Sequence, residues 1–228
     1  MTDYVLVHGG FVGGDYWAET ASLLRADGHR VTVVEQLPTS GPDAATQGTA
    51  EADVGVVGEA VGSLDGPVVL VGHSSAGVVI TEFAADPRVG HTVYVAGYWP
   101  QRGQSMLDLL PGGPPPWLEM RDDGTAQFVD DLDVRWRTLC ADVEFDRVEK
   151  ALRAMRPVAL AASATPSAAP DRLHPATYVV CEHDQLLPPQ AQEMWAQRAD
   201  HVVRLPSSHQ PMVSMPDRLA EALGAIRL

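Results

Sequence analysis

The sequence predicts an α/β fold: a mostly parallel, doubly wound sheet of about six strands, interrupted by a helical cap. Three observations carry this. Short Val-rich runs lack polar alternation, as strands buried on both faces do. Strand and helix patterns alternate from Tyr4 to Gly97 and resume at Ala176. The length of 228 residues suits one sizeable core and is awkward for two. The expected organisation is one domain over 1–228 with a cap insertion at about 98–172.

The elements follow in order. Tyr4–Val7 is an apolar strand ended by Gly9-Gly10. Tyr16–Gly28 spaces Trp17, Ala21 and Leu24 along one helical face, and Gly28 stands where a C-terminal cap belongs. Arg30–Glu35 is β-branched and strand-like, and a Pro/Gly/Ser/Thr loop covers Leu37–Gly48. Thr49–Leu64 is helical, Pro67–Val71 a strand, Gly77–Ala85 a helix and His91–Gly97 a strand. Tyr98–Arg172 breaks the rhythm: Pro111–Trp117 cannot be a regular element, helical pieces follow at Asp131–Leu139 and Asp146–Met155, and Ser163–Pro170 is a return linker. The alternation then returns with a strand at Ala176–Glu182, a helix at Pro188–Arg198, a strand at His201–Pro206 and a helix at Pro216–Ile226.

Composition narrows the partners. Hydrophobic residues make up 45% and charged residues 20%, an ordinary globular balance. The formal net charge of −14 repels phosphate backbones and anionic membranes, so neither nucleic acid nor membrane is an expected partner. No stretch has the pattern of a signal peptide or of a membrane span. Cys140 and Cys181 lie far apart without a CxxC pairing, which fits two reduced thiols and a cytoplasmic location. No metal-ligand constellation accompanies His183-Asp184, and no cofactor is expected. The expected partner is a small-molecule substrate, with the chain a monomer or homodimer.

"VVLVGHSSAGVVI" (Val68–Ile80) carries the chemistry. Ligands of an α/β sheet bind beyond the carboxyl ends of its strands. A serine on a sharp strand-to-helix turn there needs small residues two before and two after it. Ser74 meets this with Gly72 and Ala76, whereas Ser75 would place His73 at a crowded position. Gly77 further suits close helix–sheet approach. An acyl-transfer serine also needs two backbone N–H groups facing the developing oxyanion. Ser75, following the nucleophile, supplies one, and "VLVHGGF" supplies a glycine turn whose Gly10 is the second. His8 is expected to bond the loop backbone. A base and an orienting acid follow in the order Asp, then His: Asp184 just past one strand and His209 before the last helix. Glu182 and Asp108 are weaker candidates for the acid. His73, His174 and His201 are read as structural, surface or strand-end residues.

"HGG" with "YW" shortly after, then "VGHSSAG", "VCEHDQLLP" and "SSHQPM", resembles the single-domain α/β-hydrolases of the plant methylesterase and hydroxynitrile lyase group and their bacterial esterase-like relatives. The resemblance spans nearly the whole chain and is weakest in the insertion. It implies the α/β-hydrolase fold, a triad of Ser74, Asp184 and His209, and oxyanion donors at Gly10 and Ser75. The lyase branch has threonine where this chain has Gly9, and lysine where it has Gln210. Lys150 is the only lysine in the chain, so the resemblance implies hydrolysis rather than cyanohydrin cleavage. Val12 and Asp15 stand where the family usually shows histidine and tryptophan.

The expected function is therefore a carboxylesterase-type serine hydrolase that cleaves a small or medium hydrophobic ester through an acyl-enzyme on Ser74. Phe11, Tyr98, Trp99, Trp117 and Met212 are the expected substrate-binding residues. The other apolar cap residues are read mainly as the insertion's own core, and Arg102, Arg121, Arg135 and Arg137 as possible holds on a charged substrate. Two rival readings keep the fold. One is a non-hydrolytic lyase, cyclase or dehydratase acting on a polyketide-like substrate, with His209 as base. The other is a ligand-binding receptor, which an intact triad argues against.

Overall fold

The computed structural model describes residues 1–41, 43–110 and 114–228. In chain order, β1 (Asp3–Val7) leads to α1 (Ala18–Ala26), β2 (Arg30–Val34), α2 (Ala50–Gly62), β3 (Val68–His73), α3 (Ala76–Thr81) and β4 (Val89–Val95). The cap follows as β5 (Leu118–Met120), β6 (Thr125–Phe128), α4 (Leu132–Leu139), α5 (Phe145–Arg153), β7 (Val158–Ala159) and α6 (Leu160–Ser163). β8 (Ala176–Cys181), α7 (Pro189–Ala196), β9 (His201–Leu205), α8 (Pro211–Ser214) and α9 (Pro216–Gly224) complete the described strands and α-helices.

Six strands form one parallel sheet in the order β2-β1-β3-β4-β8-β9. The chain runs outward from β1 to β2, then crosses back to β3 on the other side. β1 and β3 are therefore neighbours at a switch point, where an open α/β sheet offers a crevice beyond its strand ends. The carboxyl ends there carry Gly9-Gly10 and Ser74.

The missing polar alternation has a direct cause. Val5, Val7, Val68 and Leu70 face a core shared with Val57 and Val61 of α2 and Ile80 of α3. Tyr4, Leu6, Val69 and Val71 face the opposite core, shared with Leu24 of α1 and Leu219 and Leu223 of α9. Successive strand residues point to opposite faces, and both faces are covered. Local signals end the helices where expected: Thr49 accepts a hydrogen bond from Ala52 N at the start of α2, and Gly28 (φ +82°) closes α1. α3 is shorter than the pattern suggested, ending at Thr81.

The cap corrects an expectation. It is not purely helical, because β5, β6 and β7 form a three-stranded antiparallel sheet beside its helices. "DDG" turns the chain between β5 and β6, with Gly124 at φ +81° and Asp123 accepting from Thr125 N. The helical pieces expected at 131–139 and 146–155 correspond to α4 and α5. Phe128, Leu139, Val143, Val148 and Leu152 give the cap its own core. Residues 111–113 of the expected irregular stretch lie outside the described residues. The cap rests on the sheet's loops through Arg156 N to Phe11 O (2.9 Å), Gly41 N to Pro157 O (3.1 Å) and Ala159 N to Thr39 O (2.8 Å).

Gly77 shows how tightly α3 meets the end of β4. A Cβ there would lie 2.3 Å from Tyr98 O and 3.0 Å from Tyr98 N, both backbone atoms. Gly77→Ala is expected to cost about 3 kcal/mol or more, read as a lower urea midpoint, whereas an unchanged midpoint would show that the junction yields.

Candidate active site

Ser74 sits between β3 and α3 with φ +55°, one of three non-glycine residues with positive φ among those described. Such a backbone costs about 1–3 kcal/mol and persists only where its surroundings hold it. Here they do. Ser74 N donates to Val95 O (3.1 Å), and Ser74 O accepts from Gly77 N and Tyr98 N (3.0 Å each). A Cβ at Gly72 would lie 2.9 Å from Ala76 O, so a larger residue there would displace the turn.

The glycine turn after β1 fits against this elbow. A Cβ at Gly9 would lie 2.9 Å from Ser74 Cβ and 3.0 Å from His73 Nδ1; one at Gly10 would lie 3.3 Å from Ser75 Oγ. The expected oxyanion residues Gly10 and Ser75 are therefore brought side by side. Leu37 N donates to His8 Nε2 (3.1 Å), which leaves His8 Nδ1–H to donate to Gly9 O (2.8 Å). Burial holds the His8 pKa below its ordinary value. His8 is thus a neutral tie between the two loops, as its expected backbone role requires.

Asp184 follows β8, and His209 lies between β9 and α8; both are almost fully buried. His209 Nδ1–H donates to Asp184 Oδ2 at 2.6 Å. The carboxylate also accepts from Leu186 N and Leu187 N on Oδ1 (2.8 Å each) and from Gln192 Nε2 on Oδ2 (2.9 Å). A buried carboxylate so fully bonded is fixed in place. Ser74 and His209 line one cavity. Among the described residues, the Ser74 hydroxyl and His209 Nε2 each lack a hydrogen-bond partner. A nucleophile and its base often tighten their contact only once substrate is bound.

Three supports have partners that the sequence does not identify, His73 among them although it is expected to be structural. His73 Nε2–H donates to His209 O (2.9 Å), and the two rings lie 4.7 Å apart. Burial first, then the nearby His209, push the His73 pKa well below the ordinary range. His73 is therefore neutral and holds the neighbouring loop. Gln192 of α7 is fully buried and spends its amide on Asp184 Oδ2, Leu187 O and Cys181 N. Asp142, between α4 and α5, accepts from Ser208 N (2.9 Å) and from the Ser208 hydroxyl. A cap residue thus grips the residue beside His209. His73 and Asp142 meet partners 136 and 66 residues away, and Gln192 turns inward from α7 onto the loop that carries Asp184; no local pattern marks these bonds.

The cavity is walled mainly by apolar side chains with a few polar groups among them, as small-molecule sites are. Phe11, Tyr98 and Trp117 line it, with Val78, Leu110 and Leu186. Trp99 and Met212 are not among its lining residues, which corrects their expected role. Trp99 turns inward beyond β4, stacking on Tyr94 at 4.1 Å, with the Arg198 guanidinium over its ring at 4.7 Å from the centroid. Met212, in the first turn of α8, is buried in the core with α1 and α9. Asp108 is exposed and bonds Ser105, and Glu182 is exposed, so neither shares the site. His174 is buried rather than at the surface and meets Phe83 O at 3.1 Å. Arg135 donates to three cap carbonyls and does not line the cavity. Arg102, Arg121 and Arg137 also stand outside it. Gln210 does line it, beside His209.

The chain has counterparts among known proteins. The model of the alpha/beta hydrolase family matches residues 4–222. A carbendazim hydrolyzing esterase of Nocardioides sp. (strain SG-4G) is 32% identical, the match covering 99% of this chain and 100% of that protein. A pyrethroid hydrolase from Sphingobium faniae JZ-2 superposes with a TM-score of 0.85 at 25% identity, over 98% of this chain and 96% of that one. A methylesterase from Arabidopsis superposes with a TM-score of 0.80 at 20% identity, over 98% and 97% of the two chains. The chain belongs to the alpha/beta hydrolase family. No described helix is long and apolar enough to cross a membrane.

Asp53 of α2 adds a titratable group to the cavity wall. Burial raises its pKa to about 6, against the lowering effect of its bonds from Thr39. An unfolded aspartate ionises near pH 4. Between about pH 4 and 6 the folded carboxyl keeps a proton that the unfolded chain has lost, so this group makes stability fall as pH rises. The total is about 3 kcal/mol. Urea unfolding from pH 4 to 7 should show Asp53→Asn gaining on the parent as pH rises; parallel profiles would contradict this.

Proposed function

We propose that this chain is a carboxylesterase-type serine hydrolase that cleaves small or medium hydrophobic esters, with Ser74 as nucleophile, His209 as base and Asp184 as orienting acid. One observation carries the reading: a serine held at φ +55° lines the same cavity as a histidine whose other ring nitrogen is fixed by a buried carboxylate. The relatives support it, since an esterase at 32% identity matches along the whole chain.

In this mechanism Ser74 Oγ attacks the ester carbonyl while His209 Nε2 takes its proton. Asp184, bonded to Nδ1–H, keeps Nε2 free and stabilises the imidazolium. The carbonyl oxygen becomes an oxyanion held by the N–H groups of Gly10 and Ser75. His209 returns the proton to the departing alkoxide, so an alcohol leaves and an acyl-enzyme remains. A water, deprotonated by His209, then releases the carboxylic acid and restores Ser74. The apolar walls at Phe11, Tyr98 and Trp117 suit an uncharged acyl or aromatic group. Neutral Gln210 beside the base favours hydrolysis over a reaction that must hold an expelled anion.

A fluorophosphonate probe should label Ser74 in the parent protein, and Ser74→Ala should carry no adduct, as read by peptide mass spectrometry. Ester turnover should fall about 10³-fold or more in Ser74→Ala and in His209→Ala. Full turnover in a folded Ser74→Ala protein would sink the assignment.

A further inference from the structure

The wall of the Ser74 cavity is apolar over most of its extent, but Thr39, Ser40 and Asp53 interrupt it. Asp53 is 4% exposed. Thr39 N and Thr39 Oγ1 donate to its two oxygens at 2.9 and 2.6 Å. A carboxylate accepts about four hydrogen bonds, so half its capacity is unused. Among the described residues no basic side chain pairs with it. Ser40 is 5% exposed, and its hydroxyl is buried without a partner among the described residues. The hydroxyls of Tyr16, Thr20, Thr92 and Ser214 are also buried without partners among the described residues, but none of those four lines the cavity, and Ser40 does. Anchoring of the Thr39 loop explains the two Thr39 bonds. It explains neither the orphaned Ser40 hydroxyl nor a buried carboxyl without a cation, whose raised pKa marks the cost of its charge.

The niche has a defined place. Ser40 forms a β-bridge with Val158, and Val158 Cγ1 lies 3.6 Å from where a Gly10 Cβ would stand. A single residue therefore separates Ser40 from the turn that faces Ser75. A polar group bound there would belong to a molecule whose reacting carbonyl sits at Ser74.

We propose that Ser40 and Asp53 form a subsite that accepts a cationic amine or amidinium carried by an otherwise aromatic, apolar ester. The Asp53 oxygens take its N–H donors and the Ser40 hydroxyl adds an acceptor, while the apolar walls hold the aromatic body. The inference rests on the hydrolase reading of Ser74 and narrows its substrate class.

Matched ester pairs test it: methyl 4-(aminomethyl)benzoate against methyl 4-ethylbenzoate, and 4-(aminomethyl)phenyl acetate against 4-ethylphenyl acetate. The quantity read is the ratio of kcat/KM, ammonium member to neutral member. On at least one pair the parent ratio should exceed about 10 and fall about tenfold or more in Asp53→Asn, chiefly through KM. Ser40→Ala should lower it about threefold. A second readout needs no turnover: calorimetric binding of benzylammonium to Ser74→Ala protein, abolished by adding Asp53→Asn. A parent ratio near one on both pairs, or a ratio unmoved by either variant, overturns the subsite. If Asp53→Asn does not fold, the Ser40→Ala ratio decides in the same way. Benzylammonium binding that depends on Asp53 without turnover of any ester would uphold the subsite and sink the hydrolase reading. Ester turnover without discrimination or benzylammonium binding would do the reverse.

Discussion

A left-handed backbone at one serine is the constraint around which the upper edge of the sheet is arranged. To hold Ser74 at φ +55°, its carbonyl must be gripped from two sides, by Gly77 N and Tyr98 N. That grip brings the exit of β4 against the first turn of α3, close enough that Gly77 can carry no side chain. The elbow in turn sets the room left for the turn after β1, and Gly9 is the consequence. The strain at one residue thus dictates small residues at 9, 72, 76 and 77. The strand order makes it useful, because β1 and β3 are adjacent where the chain reverses its direction of winding.

What could be read from the chain alone tracks how local its cause is. The inner strands β1, β3, β4 and β8 were legible because burial on both faces leaves few polar residues in a short run, and the more exposed edge strands β2 and β9 because of their valines. Ser74 could be separated from Ser75 because steric demands act two residues either side. Asp184 and His209 were legible by place, each just past a strand end. The cap sheet was not, since "LEM" and "TAQF" are too short to show a period; only "DDG" between them signalled a turn. Trp99 and Met212 misled for a related reason. Proximity in sequence to Tyr98 and His209 does not fix which way a side chain turns, and both point into core layers. His73 and Asp142 act across long sequence separations, Gln192 acts on a nearby loop without a local pattern to show it, and nothing in the sequence singled out Asp53.

The site is also layered by charge. At its centre, one buried carboxylate has every acceptor direction answered by Leu186, Leu187, Gln192 and His209. On the cavity wall, another has only Thr39. The same residue type therefore serves two ends: Asp184 is finished before any ligand arrives, whereas Asp53 is left incomplete. Burial acts on both, and the number of donors around each decides whether the charge is settled by the fold.

The grip of Asp142 on Ser208 has a consequence for how such a chain can diversify. The cap walls the substrate and, through this one side chain, also braces the loop that carries the base. Recognition and reactivity are thus not separable modules. A graft that exchanged the insertion for a different lid would remove a strut from beneath the histidine at the same stroke, and a new lid could inherit the old chemistry only by bringing an equivalent strut with it.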